Sequence, residues 1–321
     1  MNKKICVLGG TGFVGQHIIS QLAKTGHKVR VLTRRRERNR ELLVLPNVEL
    51  INANIHDTSL LKKYFTGQDV VINLVGILNE RRDNGQGFHV AHVELIEKII
   101  DSCQTKNVKR LLHMSALNAD EKDGSSFYLR SKGEAENKVH HAKNINATSF
   151  RPSVIFGSDD SFFNRFACLL YRVPFFFPLA CSSTRFAPVY VEDIASAFVK
   201  SINNSRTYGK RYDLCGPKNY TLKQLVEFTA NNINVKRHIM ALGKSASLLQ
   251  ANILEYFPGK PFSRDNYRSM QIDSVCKNNG EVLKTIFNIS PTSIEAVVPR
   301  YLKVQSCRQR YDEFRQRAHR D

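Results

Sequence analysis

Short, nearly continuous apolar runs recur through the first half of the chain, and a segment of helical period follows most of them. Ile5-Cys6-Val7-Leu8 is the first. Lys28–Thr33, Val48–Ile51, Asp69–Val75, Val108–Met114 and Ala147–Phe150 repeat it. Between them, 16–24, 58–64, 88–104 and 126–141 place apolar residues three and four apart. Apolar runs of this length read as strands buried on both faces, which only a parallel sheet covered by helices provides. The alternation predicts a Rossmann-type α/β fold with a doubly wound parallel sheet. No internal repeat or low-complexity segment interrupts it.

The pattern changes after Arg151-Pro152. Residues 162–179 are dense in aromatic and aliphatic side chains, and Pro174 and Pro178 end any helix near Arg172. Residues 189–201 return to strand-then-helix, and 221–233 read as another amphipathic helix. We read 1–155 as the Rossmann core of the chain. Residues 156–321 read as a smaller substrate or partner lobe interwoven with the last strands of the sheet. A basic helix over 300–319, carrying Arg308, Arg310, Arg315 and Arg317, closes the chain. The aromatic run reads mainly as packing for this lobe, with a lipophilic substrate or membrane surface as the alternative.

Composition narrows the class. With 42% hydrophobic and 24% charged residues, the 321-residue chain is globular. No apolar run is long enough to span a bilayer, and the first strand leaves no room for a signal peptide. A cytoplasmic location is therefore expected. The seven cysteines are scattered without metal-ligand spacing, so most read as reduced core residues and no metal site is expected. The net charge of +19 is uneven: residues 1–160 carry 24 Lys/Arg against 17 Asp/Glu, and 161–321 carry 24 against 12. Such a surface attracts nucleotides and anionic lipid, and it suggests peripheral contact at the inner face of the cytoplasmic membrane. No recognition motif or aromatic-basic interleaving supports nucleic-acid binding.

Two constellations carry chemistry. In Gly9-Gly10-Thr11-Gly12-Phe13-Val14-Gly15, three glycines spaced by two residues join the first strand to a helix. Gly9 allows the tight turn, Gly12 lets backbone approach a pyrophosphate, and Gly15 lets the helix pack closely. Thr11, Phe13 and Val14 lie within the same corner. The second strand ends in Arg34 where an acid would serve NAD(H), so NADP(H) is expected over NAD(H). Further on, Tyr128 and Lys132 share one helical face behind a strand ending at Ser115. A cationic Lys132 is expected to lower the Tyr128 pKa, making the phenol a proton carrier for a carbonyl or alcohol. Ser115 would hydrogen-bond the substrate oxygen.

Together these motifs resemble short-chain dehydrogenases/reductases of the extended or atypical type, over essentially the whole chain. Gly9, Gly12, Gly15, Ser115, Tyr128 and Lys132 match that superfamily's motifs position by position. The resemblance adds Val75 and Gly76 of Asn73-Leu74-Val75-Gly76 as cofactor contacts. It also adds Asp57 near the adenine, although Asn54 stands where an acid is customary, and Pro152 of Arg151-Pro152-Ser153 near the nicotinamide. Tyr128-Leu129-Arg130-Ser131-Lys132, Phe156-Gly157-Ser158-Asp159-Asp160 and Pro188-Val189-Tyr190-Val191-Glu192-Asp193 are similar to a narrower family. This is the NAD(P)H-binding accessory subunit of respiratory complex I, with its stand-alone bacterial relatives. That likeness implies a link to complex I or ubiquinone metabolism and a tightly held dinucleotide.

Two classes of function follow. One is an NADP-dependent oxidoreductase or epimerase acting on a lipophilic carbonyl, a quinone or a nucleotide-sugar. The other is a cofactor-holding structural or assembly protein of a respiratory or quinone-biosynthesis complex. Arg165, Arg172 and Arg185 are the cations that a nucleotide-sugar diphosphate would need.

Overall fold

The computed structural model describes residues 2–258 and 260–302. Seven parallel strands form the central sheet: β1 (Lys4–Leu8), β2 (Lys28–Thr33), β3 (Val48–Asn52), β4 (Val70–Asn73), β5 (Arg110–Met114), β6 (Asn146–Pro152) and β7 (Lys210–Leu214). Their spatial order is β7-β6-β5-β4-β1-β2-β3. Chain order reverses between β1 and β4, paired at Val7↔Ile72, so the crevice beyond their carboxyl ends is where an open α/β sheet takes a ligand.

Alternation along each strand divides the core into two layers. Ile5 and Val7 face one side, with Ile18, Ile19 and Leu22 of α1 (Phe13–Lys24), Phe150 of β6, and Ile194 and Phe198 further along the chain. Cys6 and Leu8 face the other side. There they meet Leu61 and Phe65 of α2 (Thr58–Phe65), Leu95 and Ile99 of α3 (Leu95–Thr105), and Val139 of α4 (Phe127–His141). Each such fully buried side chain is worth about 1.5–3 kcal/mol, and from Ile5 to Leu8 neither face of β1 has room for a charge.

Later chain re-enters this body. After α5 (Phe163–Arg172), α6 (Val191–Ser201) packs on α1, and β7 pairs with β6 from Lys210↔Thr148 to Leu214↔Pro152. The small lobe has its own core. Phe163 and Leu170 of α5 meet Phe177, Leu179, Phe186, Ile239, and Leu222 and Leu225 of α7 (Leu222–Asn232). The aromatic run therefore mostly fills this core, but Phe175 and Phe176 stay exposed. Two further helices, α8 (Lys244–Leu254) and α9 (Arg264–Ser269), belong to the lobe.

Three expectations change. The segment read as one helix over 88–104 contains a π-helical stretch, His89–Glu94, ahead of α3; an extra residue per turn leaves little trace in apolar spacing. The last described helix begins before residue 300 and buries Ile294, Val298 and Leu302. The remainder of the helix expected over 300–319, including its four arginines, lies outside the described residues. Finally, Cys215 and Cys276 form a disulfide, so the scattered cysteines are not all thiols. Sixty-one residues separate them, and only the fold brings them together. Cys6, Cys103, Cys168 and Cys181 are free. Among the described residues no helix is long and apolar enough to cross a membrane, and no acid, His and Cys group could hold a metal ion.

Candidate functional site

The glycine corner sits at the carboxyl end of β1. Gly9 holds φ +76°, and a Cβ there would stand 3.0 Å from the Val75 backbone nitrogen. At Gly15 a Cβ would meet the Gly10 carbonyl oxygen at 2.5 Å, which excludes any side chain and explains how α1 lies against the turn. Gly12 donates its N–H to the Gly9 carbonyl at 3.1 Å and caps α1 without a side chain, and no acid occupies the first helical turn. An uncapped helix start with bare backbone around it is a cradle for a phosphate. The residues present therefore fit a dinucleotide's pyrophosphate. Thr11 lies in the turn, its carbonyl accepting from Gln16 at 3.4 Å. Phe13 and Val14 open α1, and the Phe13 ring would meet a Cβ at Gly157 at 3.1 Å, so the segment after β6 closes over the corner.

Arg34 stands exposed just past β2. Asp57 caps α2, accepting from the Ser59 and Leu60 N–H groups at 2.8 and 3.3 Å. The Ser59 hydroxyl and these amides hold its carboxyl below the usual range. In the loop after β4, Val75 donates to Asn73 Oδ1 at 3.2 Å. A Cβ on Gly76 would lie 3.0 Å from Lys132 Nζ. Pro152 ends β6, and its carbonyl accepts from Leu117 at 3.1 Å.

Ser115, Tyr128 and Lys132 converge at the end of β5. Ser115 N–H donates to Phe150 at 2.8 Å, and its hydroxyl is buried without a partner. Such a group is costly unless something arrives to satisfy it. Lys132 is buried and donates from Nζ to the Met114 carbonyl at 3.1 Å, which fixes the ammonium beside Ser115 and the Gly76 loop. Tyr128, one turn earlier on α4, packs against Ala116, Ala119 and Leu129.

Electrostatics here depart from expectation. Burial pushes Lys132 down to about 8, with Glu136 opposing. Tyr128 moves the other way: burial, then the Asp265 carboxylate, push its phenol up to about 12. The expected lowering by Lys132 is not found, because that ammonium points at a backbone carbonyl and desolvation outweighs it.

Three residues that the sequence reading missed hold this arrangement. Asp265 of α9 is buried and accepts from the Phe127 and Tyr128 N–H groups at 2.8 and 3.2 Å, capping α4 from the small lobe beside Ser126, whose hydroxyl accepts from Leu129 at 3.1 Å. His92, on the π-helical stretch, accepts from Ile77 N–H at Nε2 and faces Ser131 Oγ with Nδ1 at 2.8 Å. Ser131 donates in turn to the Tyr128 carbonyl at 2.9 Å. This chain ties the loop after β4 to α4. Glu136, fully buried, receives Arg151 at 2.6 Å and Arg211 at 2.6 Å. Only a polar residue interrupting the apolar period at 92 could have drawn attention; Asp265 lies 137 residues from its partner and leaves no local signal.

Of the cations proposed for a diphosphate, Arg185 is paired with Asp273 at 2.8 Å and Arg165 reaches the Lys260 carbonyl at 3.3 Å. Arg172 ends α5.

Comparison with known proteins agrees with this geometry. The model of the NAD dependent epimerase/dehydratase family matches residues 5–215. The chain is 29% identical over 302 residues to NADH dehydrogenase (ubiquinone) 1 alpha subcomplex subunit 9, mitochondrial, of Dictyostelium discoideum, covering 90% of this chain and 81% of that protein. It is 28% identical over 198 residues to a ceramide reductase of Caulobacter vibrioides, covering 61% of this chain and 59% of the relative. A solved UDP-glucuronic acid 4-epimerase from Bacillus cereus, in complex with UDP-glucuronic acid and NAD, superposes with a TM-score of 0.73. It covers 94% of this chain and 99% of that one at 17% identity, a likeness of fold alone.

Proposed function

Because the chain belongs to the NAD dependent epimerase/dehydratase family, we propose that it is an NADP(H)-preferring reductase of a lipophilic carbonyl or quinone, working at a membrane or a respiratory complex. The observation that carries this reading is the buried, unpartnered Ser115 hydroxyl just past β5, where Lys132 bonds the Met114 carbonyl and Tyr128 packs on Ala116. The dinucleotide, when bound, supplies hydride chemistry at its nicotinamide. Gly9, Gly12 and Gly15, with Thr11, Phe13 and Val14, would hold its pyrophosphate. Arg34 would meet the 2′-phosphate, and Asp57, Val75, Gly76 and Pro152 would line the remainder. Ser115 would donate to the substrate carbonyl oxygen, and Tyr128 would give that oxygen its proton. A phenol with pKa near 12 is protonated at neutral pH, which favours the reductive direction. The named ceramide reductase relative supports a lipophilic substrate. A nucleotide-sugar, the alternative substrate, would have to draw Arg165 and Arg185 away from the protein groups that engage them.

A second reading has its own support in the relatives named as subunits of a ubiquinone-linked dehydrogenase: a protein that holds its dinucleotide as scaffold. Tyr128→Phe separates the two. In the reductase, dinucleotide affinity survives and turnover of a quinone or long-chain ketone falls on the order of a hundredfold or more. In the scaffold, Tyr128→Phe complements a deletion strain fully, whereas Gly12→Val, which obstructs the phosphate corner, does not. Full complementation by Tyr128→Phe overturns the catalytic reading.

A further inference from the structure

One face of the small lobe gathers large apolar side chains at the surface. Helix α8 is folded with its small residues inward: Ser247 and Ala251, one turn apart, are buried, whereas Leu248, Leu249 and Ile253 are 42%, 60% and 51% exposed. Tyr256 and Phe257 extend the exposed apolar surface just past the helix. The parallel strand pair Phe176–Leu179 and His238–Ala241, a two-stranded sheet, adds exposed Phe176 and Met240. Gln250 of α8 donates to the Pro178 carbonyl at 3.0 Å, joining helix and strands into one surface. Beside them Phe175, 77% exposed, holds φ +55°, a conformation that bulky residues rarely adopt. A helix that buries serine and exposes leucine leaves apolar area in water at about 25 cal/mol per Å². Contiguous surfaces of this kind mark interaction sites.

The surrounding charge selects the occupant. Lys236, Arg237, His238 and Lys244 frame the strand and the start of α8, and α8 itself contains no acid. Glu255, at its end, is buried against Arg264 at 2.7 Å and Lys260 at 3.7 Å. A second copy would bring one cationic rim against another. Residues 303–321 carry six Lys/Arg against three Asp/Glu and would meet the rim with the same sign.

We propose that this face docks the protein on an anionic lipid surface. Helix α8 lies in the interfacial plane, with Leu249, Ile253 and Phe257 among the acyl chains and Lys236 and Lys244 at the headgroups. The inference deepens the membrane contact of the reading above by naming its face, and it holds whether or not the chain turns over a substrate. Leu78, 59% exposed, accepts through its carbonyl from Asn266 of α9 at 3.2 Å, and α9 caps the Tyr128 helix through Asp265.

The chain contains no tryptophan, so single reporters can be introduced without background. Leu249→Trp tests the face, and Val44→Trp, at a position 81% exposed that lies outside it, is the control. Full-length variants are mixed with phosphatidylcholine vesicles, with and without phosphatidylglycerol. The expected result is a blue-shifted emission, quenched by brominated lipid, for Leu249→Trp alone, only with phosphatidylglycerol, and reversed by salt. The exposed pair Leu249→Glu with Ile253→Glu is expected to weaken co-sedimentation roughly tenfold or more at unchanged melting temperature. The proposal is overturned by an unshifted Leu249→Trp, by equal shifts at both positions, by a shift indifferent to phosphatidylglycerol, or by a double variant that sediments like the parent. A lipid-free shift that follows protein concentration would assign the face to a second copy instead. Quinone or ketone turnover enters none of these measurements, so failure of the reductase reading leaves them intact.

Discussion

Lys132 carries a conflict between stability and site chemistry in a single side chain. Its ammonium is buried on one backbone carbonyl, and burial pushes its pKa from 10.5 to about 8. Between those values the unfolded chain holds the proton more tightly than the folded one, so stability rises with pH across that window. Tyr128 has the opposite sign: with its pKa raised from 10.0 to about 12, its contribution is fully present below pH 10 and is lost as pH rises toward 12. Removing the buried ammonium should therefore stabilise the apoprotein near neutral pH. Lys132→Met is expected to gain about 1–3 kcal/mol in denaturant unfolding, to lose the rise above pH 8, and to bind dinucleotide at least about tenfold more weakly. Destabilisation of the variant at neutral pH would show that the charge is compensated within the fold. Arg34 poses a simpler case. It is exposed beyond β2, where an acid would accept ribose hydroxyls, so Arg34→Asp should reverse the order of NADP(H) and NAD(H) affinities by repelling a 2′-phosphate. Parallel titrations at one ionic strength measure it, and an unchanged order would move the specificity to another residue.

At the scale of elements, the site helix α4 is anchored at its start from outside its own segment. Asp265 supplies acceptors to two of its first N–H groups and also raises the Tyr128 pKa. Asp265→Asn removes the charge while keeping one acceptor. Ultraviolet titration should then find the Tyr128 pKa moved down toward 10, with unfolding costing about 1 kcal/mol less. A Tyr128 pKa that stays near 12 would leave burial as the sole cause. What sequence could and could not reveal divides along this line. The strands and helices of the first half were legible because a doubly covered parallel sheet writes continuous apolar runs, and Gly9 and Gly15 because the positive φ of one and the close backbone contact of the other admit no side chain. The π-helical stretch was not, since one wider turn leaves the apolar spacing on either side almost unchanged. Asp265, Glu136 and the Tyr128 shift were not either. Each depends on partners or on burial that only tertiary packing sets, and a local motif such as Tyr128 with Lys132 carries no information about desolvation.

On the scale of the whole molecule, the later half of the chain is fastened to the sheet as well as packed on it. β7 joins the sheet edge, and Cys215, directly after it, is bonded to Cys276. Around that bond, Ser153 Oγ donates to the Ser274 carbonyl at 2.6 Å, and Ala187 N–H donates to the same oxygen at 3.1 Å. The bridge thus closes a loop containing α7, α8 and α9, and with them both Asp265 and the α8 part of the exposed apolar face. Composition suggested reduced thiols, and a cysteine pair 61 residues apart gave no reason to think otherwise. In the chain-entropy description, a loop of this length confers about 4 kcal/mol by restricting the unfolded ensemble. Reductant should therefore lower the stability of the parent chain by that order, and a Cys215→Ser, Cys276→Ser double variant should melt at the lower temperature with or without reductant. Because α9 lies within the loop and caps α4, reduction should also weaken dinucleotide binding, whereas a merely peripheral bridge would leave it unchanged. Identical melting of parent and double variant under oxidising conditions would mean that the two sulfurs sit together without the bond contributing, and that β7 pairing and the packing around it hold the lobe against the sheet.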